Sequence, residues 1–119
     1  MDNRILKSKV LSNGYQVAVQ ELQLNDFRSF AVTVMDTYEE WGDVDILYAS
    51  DDLSDESYKE AEKEFDAGIK EYTKLRKNSR KKPVRTFESM IRDAAAGEEE
   101  HLLQEILNEI ENDKEDFYE

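Results

Sequence analysis

A basic block at residues 74–85, with the sequence KLRKNSRKKPVR, could bind phosphates or carboxylates through its charges. It holds seven bases and no acid, although the chain has a formal net charge of -13. The bases are Lys74, Arg76, Lys77, Arg80, Lys81, Lys82 and Arg85. They could neutralise phosphates, but the acidic chain repels a polyanion, and no aromatic residue interrupts the block to stack on bases. We therefore prefer neutralisation of the protein's own carboxylates, within one chain or between two, to a basic contact with a partner. Direct nucleic-acid binding is disfavoured.

A second charged feature is formed by the acidic stretches DTYEEWGDVD, residues 36–45, and SDDLSDE, residues 50–56. Carboxylates spaced over a rigid surface can imitate a phosphate backbone and occupy the nucleic-acid channel of a basic protein, with an attraction that salt weakens. Tyrosine and tryptophan are enriched at contact hot spots, although the two aromatic residues here could instead cap the end of the core. The predicted partner-binding residues are Asp36, Tyr38, Glu39, Glu40, Trp41, Asp43, Asp45, Asp51 and Asp52, with Glu98, Glu99 and Glu100 as a second surface.

No combination of residues predicts catalysis. His101 is the only histidine, and the pair Glu98 and His101 would need a second such pair to build a di-iron site. Cysteine is absent, which excludes thiolate metal sites and cysteine nucleophiles. The residues after Asp43 follow a strand pattern instead of the ligand spacing of a calcium loop. We therefore predict a protein that is not an enzyme and that binds no cofactor and no metal ion.

Length and composition indicate a single small domain. The chain has 119 residues, of which 38% are charged, so its core must be thin. No apolar run approaches the roughly 20 residues that a membrane helix needs, and a cysteine-free chain fits a reducing compartment. We predict a cytoplasmic protein that does not associate with membranes.

The first half of the chain has the two-residue alternation of β-strands. Asn13 and Gly14 predict a hairpin with a type I′ turn, because both central residues of that turn have positive φ values. The groups expected to share a face are Tyr15, Val17 and Val19, then Phe30, Val32 and Val34, then Val44, Ile46 and Tyr48. The pattern predicts a four-stranded antiparallel meander with one buried face.

The second half is predicted to be helical. Ser54 is expected to cap a first helix whose apolar stripe covers the sheet, and Thr86 is expected to cap a second helix. The stripe consists of Tyr58, Ala61, Phe65, Ile69, Tyr72 and Leu75, and the second helix turns Phe87, Met90, Ile91 and Ala94 inward. The fold class is therefore α+β: a small antiparallel sheet of about four strands covered by one amphipathic helix and followed by a helical C-terminal segment.

These elements predict four regions. Residues 1–78 form the meander and helix, 79–85 a basic linker, 86–112 the helical C-terminal segment, and 113–119 a disordered acidic tail. The C-terminal segment carries an apolar ridge, formed by Leu102, Leu103, Ile106, Leu107 and Ile110.

Charge and the lack of a catalytic arrangement predict a non-catalytic, acidic inhibitor that binds another protein. Its composition is that of a DNA mimic, such as an anti-restriction or anti-CRISPR protein of a phage or mobile element, and the expected partner is a basic nucleic-acid-binding enzyme. The alternative is an oligomerising structural, assembly or adaptor module that uses the Leu102–Ile110 ridge. A homodimer is compatible with both hypotheses.

Overall fold

In the part of the chain that the structure describes, four antiparallel strands and two helices, Asp55–Thr73 and Phe87–Ala95, form the α+β fold that the sequence predicts. The computed structural model describes residues 2–24, 26–40, 42–75, 82–95 and 110. The strands pair in the order β1-β2-β3-β4, so the predicted meander is confirmed. The elements are β1 (Asp2–Val10), β2 (Tyr15–Leu24), β3 (Phe27–Asp36), β4 (Asp45–Ala49), α1 (Asp55–Thr73) and α2 (Phe87–Ala95).

The predicted hairpin joins β1 to β2, but its turn differs from the expected one. The Leu11 amide donates to the Tyr15 carbonyl at 2.7 Å, and the Gly14 amide donates to the Leu11 carbonyl at 2.9 Å. The loop therefore has three residues, Ser12–Gly14, where a type I′ turn would have two. Gly14 has a φ of +97°, a conformation that a residue with a Cβ atom rarely adopts.

Helix α1 covers one face of the sheet, which we call the α1 face. Ser54 caps the helix as predicted, since its side-chain oxygen accepts from the Ser57 amide at 3.2 Å. All the strand side chains buried on this face are apolar, and the predicted alternation of β2 and β3 is confirmed. The buried cluster contains Leu11, Val17, Val19, Phe30, Val32, Val34, Ala61 and Phe65, with Tyr58, Ile69 and Tyr72 packed against it. Leu75 lies beyond the end of the helix and is exposed.

The opposite face, which we call the α2 face, is buried too, so the prediction of a single buried face is wrong. Its apolar cluster consists of Ala18, Leu22, Ala31, Met35, Val44, Phe87 and Ile110. Between these side chains lie Gln16, Gln20, Ser29 and Thr33, each with no solvent exposure. The alternation of polar and apolar residues in β2 and β3 predicts a solvent-facing surface, but helix α2 and Ile110 cover it.

A β-bulge in β4 overturns a further prediction. Val32 pairs with Tyr48 and Thr33 pairs with Ile46, which leaves Leu47 as an extra residue in β4. Ile46 therefore packs on the α2 face, whereas Leu47 and Tyr48 pack on the α1 face. We expected Ile46 and Tyr48 on the same face of the sheet, but the extra residue places them on opposite faces.

Polar contacts at its first turn attach α2 to the sheet. Thr86 caps the helix as predicted, because its side-chain oxygen accepts from the Ser89 amide at 3.1 Å. The buried Gln16 side chain accepts from the Phe87 amide at 2.7 Å. The Gln16 side-chain nitrogen, Nε2, donates to both carboxylate oxygens of Glu88, at 3.0 and 2.8 Å. Ser8 donates to Glu88 as well, at 2.6 Å, so two strands hold one carboxylate.

Candidate functional site

Of the eight predicted partner-binding residues that the structure describes, six lie at one end of the sheet, which we call the loop end. In an antiparallel meander, the turn between β1 and β2 and the loop between β3 and β4 fall at the same end. Helix α1 starts at the opposite end and finishes here, where the Asn13 side chain donates to the Tyr72 carbonyl at 2.7 Å. The loop end therefore joins the Ser12–Gly14 turn, the loop of residues 37–44 and the end of α1.

Tyr38 supports the loop end from within. Its ring lies over Gly14, where a Cβ atom would collide with Tyr38 Cε2. The Tyr38 hydroxyl donates to the Ser12 carbonyl at 3.2 Å, and the Tyr38 amide donates to an oxygen of Asp36 at 2.9 Å. Tyr38 was predicted as a partner anchor, and its ring and hydroxyl, together with the Thr37 hydroxyl that donates to the Gly14 carbonyl, hold the hairpin against the end of β3.

Tyr72 was not predicted as a site residue, although it links the helix to an acid of the site. Its hydroxyl donates to Asp45 Oδ2 at 3.3 Å, and its ring meets that of Tyr15 edge to face with centroids 5.1 Å apart. Burial and the nearby negative charge of Asp45 raise the pKa of Tyr72 to about 12. Tyr72 therefore stays neutral at physiological pH and orients the Asp45 carboxylate.

The remaining acids of the loop point into solvent. Glu39, Glu40 and Asp43 are exposed. Among the described residues, the salt bridges join Arg4 to Glu21, Lys7 to Glu62 and Lys63 to Glu60, and none of them uses these three loop carboxylates. Three negative charges thus stand on a loop whose base is fixed by buried hydrogen bonds.

Asp51 and Asp52 lie away from this group, at the end of the sheet where α1 begins. Strand β4 separates them from the loop end by roughly 15 Å, at about 3.3 Å per residue. Asp52 Oδ1 accepts from the Ser57 hydroxyl at 2.6 Å and from the Ser54 amide at 3.1 Å. These bonds hold the pKa of Asp52 below its usual value. Asp52 thus contributes to the start of α1, and the predicted acidic site is split in two.

Helix α1 adds acids along the same side of the molecule. At about 100° per residue, Glu60, Glu64 and Glu71 fall within about 40° of one another. This flank faces β4, because a Cβ atom on the neighbouring Gly68 would lie 2.6 Å from Leu47 Cδ1. By the same spacing, Lys59, Lys63 and Lys70 lie on the outer side of the helix, and Lys63 reaches Glu60 of this flank at 3.7 Å. An acidic flank therefore connects the two groups of predicted acids.

The described part of the basic block lies at the loop end. The Lys74 amide donates to the Glu71 and Tyr72 carbonyls and closes α1. Further along, the Val84 amide donates to the Thr37 carbonyl at 2.7 Å, so residues 82–86 run along the acidic loop. The basic block and the acidic loop thus meet, although the described contacts of Arg85 are to carbonyl oxygens.

Several predicted residues fall outside the described part of the chain. They are Trp41, Arg76, Lys77, Arg80, Lys81, Glu98 to Glu100, His101, Leu102, Leu103, Ile106 and Leu107, together with the tail at 113–119. Ile110 is described, and its side chain is 5% exposed within the cluster of the α2 face. This part of the predicted ridge packs inside the chain's own core.

The described residues offer no further chemistry of the kinds considered above. Among them, no group of three or more His, Cys, Asp or Glu side chains is arranged to hold a metal ion. Neither α1 nor α2, as described, is long and apolar enough to cross a membrane. Comparison with protein-family models, curated proteins and solved structures finds no match to this chain. Its function is therefore inferred from its own residues and geometry.

Proposed function

We propose that this protein is a non-catalytic inhibitor that binds a basic, nucleic-acid-binding protein through the acidic side of its sheet. The partner's lysines and arginines would contact the loop of residues 37–44 and the flank of α1 that faces β4. By occupying a surface meant for phosphates, the inhibitor would exclude nucleic acid, as DNA mimics of the anti-restriction and anti-CRISPR type do.

One observation carries this proposal: residues 36–56 surround β4 and contain nine acids and no lysine or arginine. The nine are Asp36, Glu39, Glu40, Asp43, Asp45, Asp51, Asp52, Asp55 and Glu56. The sheet and α1 fix the positions at which these acids leave the backbone. Oriented carboxylates on a rigid frame complement a basic groove at little ordering cost, which favours both association rate and specificity.

Rigid aromatic groups at the loop end support the same proposal. Tyrosine provides contact area with few rotatable bonds, and it is common at contact hot spots. Tyr38 and Tyr72 are both partly exposed, and both are held by hydrogen bonds to the chain. They can present a fixed apolar surface beside the acids.

The test compares two triple variants in a capture experiment with identification of the bound protein. The site variant carries Glu39→Gln, Glu40→Gln and Asp43→Asn. The control variant carries Glu62→Gln, Asp66→Asn and Asp26→Asn, which make the same change in net charge away from the loop end and outside the nine acids. Each exposed charge pair contributes about 0.2–1 kcal/mol, so we expect the site variant to bind roughly tenfold more weakly and the control to bind nearly as wild type.

The capture is repeated at low and high salt and with competing DNA. A nucleic-acid-binding partner that is released by salt and by DNA, and that is lost selectively in the site variant, would support the proposal. Equal loss in both variants would indicate non-specific attraction and contradict it. Capture of no such partner, with a stable dimer in light scattering, would favour the assembly module instead.

A further inference from the structure

Residues 82–86, which we call the strap, cross the acidic loop beside its base. The Thr37 carbonyl accepts from two strap amides, that of Val84 at 2.7 Å and that of Arg85 at 3.4 Å. Thr37 is itself fully buried, and its amide donates to the Gly14 carbonyl at 2.8 Å. Hydrogen bonds therefore connect the first hairpin, the start of the acidic loop and the strap in a single row.

The Arg85 side chain extends this row across the loop. Its Nε donates to the Asp36 carbonyl at 3.3 Å, and its two terminal nitrogens approach the Gly42 carbonyl at 3.5 Å. These bonds are long, but a planar guanidinium makes all three at once. One side chain thus joins the last residue of β3 to the far side of the loop.

Gly42 allows this approach because it has no side chain. A Cβ atom there would lie 3.3 Å from an Arg85 terminal nitrogen, which is tighter than an ordinary contact. A larger residue at position 42 would press on the guanidinium. The loop and the arginine are therefore fitted to each other.

The partners of Arg85 indicate what it does. Within the described residues, its hydrogen bonds are made to carbonyl oxygens and no salt bridge joins it to a carboxylate. The exposed acids Glu39, Glu40 and Asp43 thus keep their outward positions while the backbone beneath them is held. A lysine could supply the same charge, but it has no planar fork to join two carbonyls.

We propose that Arg85 is a positioning residue, which holds the acidic loop in the conformation that binds a basic partner. The inference rests on the proposed function and assigns one base of the block a role within the chain. The electrostatic effect of Arg85 on cation binding and its positioning effect have opposite signs. If Arg85 acted through charge alone, removing it would make the surface more negative and strengthen cation binding, whereas loss of a positioning residue weakens binding despite the added negative charge.

The test uses the full chain and an oligoarginine peptide as the probe, with affinity followed by fluorescence anisotropy at low salt. We expect Arg85→Gln and Arg85→Lys each to bind the peptide about three- to tenfold more weakly than wild type. Lys82→Gln is the matched control, because it makes the same charge change on the strap at an exposed side chain. That variant should bind as well as wild type or slightly better.

Hydrogen exchange provides a second readout that does not depend on binding. The Thr37 amide donates to the Gly14 carbonyl and the Tyr38 amide donates to Asp36 Oδ1, so both are protected at the base of the loop. We expect these two amides to exchange faster in both Arg85 variants and at the wild-type rate in Lys82→Gln, while unfolding midpoints show whether the fold is kept. Tighter peptide binding by Arg85→Gln, or unaltered exchange of these amides, would overturn the inference. If the wild type and the triple variant Glu39→Gln, Glu40→Gln, Asp43→Asn bind the peptide equally, the proposed function fails, and exchange alone then decides the role of Arg85.

Discussion

The two faces of the sheet are buried by different means. The α1 face is lined by β-branched and aromatic side chains and covered by a helix of 19 residues. The α2 face alternates small or apolar side chains with buried glutamine, serine and threonine, and its described helix has 9 residues. Apolar burial stabilises a fold without requiring one particular orientation of the packed elements. A buried polar group stabilises it only when the group is hydrogen-bonded.

This difference implies that the α1 face mainly stabilises the fold, whereas the α2 face mainly determines where α2 docks. On the α1 face, every buried strand side chain is apolar. On the α2 face, Gln16 fixes the position of α2, because its side-chain oxygen accepts from the Phe87 amide and its side-chain nitrogen donates to the Glu88 carboxylate. Not every group there is matched: within the described part of the chain, Gln20 Oε1 and Asn3 Oδ1 are buried with no hydrogen-bond partner. Each such group costs about 1–3 kcal/mol, so we expect the α2 face to open more readily.

The largest expected effect is on the α1 face. Phe65→Ala should lower the free energy of unfolding by about 3–5 kcal/mol, since it removes a buried aromatic ring from the centre of the cluster. Urea denaturation measures this loss. Val84→Ala is the control, because Val84 is 62% exposed and its truncation should change stability by less than about 0.5 kcal/mol.

If Phe65→Ala lowered the free energy of unfolding no more than Gln16→Ala does, the proposed difference between the two faces would be contradicted. If Phe65→Ala does not fold, Phe65→Leu keeps most of the apolar volume and allows the same measurement. We expect it to show a smaller loss of the same sign.

The next effect is local to the α2 face. Gln16→Ala leaves the Phe87 amide and the Glu88 carboxylate without the partner that now binds both. We expect a loss of about 1–3 kcal/mol, with faster hydrogen exchange in α2 and little change in α1. Equal acceleration in both helices would mean that the two faces open together as one cooperative unit.

The attachment of α2 should depend on pH. Burial would raise the pKa of Glu88, but the hydrogen bonds from Ser8 and Gln16 outweigh burial and hold that pKa below its usual value. A carboxyl group with a lowered folded pKa stabilises the fold above its unfolded pKa, about 4.5. That contribution is lost as pH falls through the folded pKa.

We therefore expect α2 amides to lose protection below about pH 4.5 in the wild type. Glu88→Gln removes the titrating group, so its stability should change less than that of the wild type over the same pH range. The measurement is the difference between the two unfolding curves, because other carboxyl groups titrate in both proteins. Parallel curves would contradict an attachment through the ionised carboxylate.

The smallest effect has the opposite sign. Gln20→Leu removes a buried acceptor that has no partner among the described residues, and it also removes the donor to Thr33 Oγ1 at 2.9 Å. We expect no loss or a gain of up to about 1 kcal/mol, because the orphaned oxygen no longer has to be buried. Comparing the thermal unfolding midpoints of Gln20→Leu and Gln16→Leu would distinguish the effect of an unpaired side-chain oxygen from that of a hydrogen-bonded one on the same face. A loss as large as that of Gln16→Leu would contradict it.

Much of the fold could be predicted from local sequence patterns. The meander, the Ser54 and Thr86 caps and the stripe of α1 follow from alternation, capping chemistry and helical spacing, which involve neighbouring residues only. The density of acids between residues 36 and 56 is visible in the sequence itself, and their role in binding stays a prediction. Tyr72 and Arg85 could not be predicted, because each acts through a residue at least 27 positions away.

The sequence by itself determined the α+β fold, the pairing order of the strands and the charge asymmetry, since each depends on near neighbours or on composition. Only the tertiary structure decided that both faces are buried, because Gln16 and Gln20 look solvent-facing until a distant helix covers them. It also decided on which side Ile46 lies, through the extra Leu47 in β4. Finally, it brought the strap to the acidic loop, since hydrogen bonds between residues more than 40 positions apart leave no trace in local spacing.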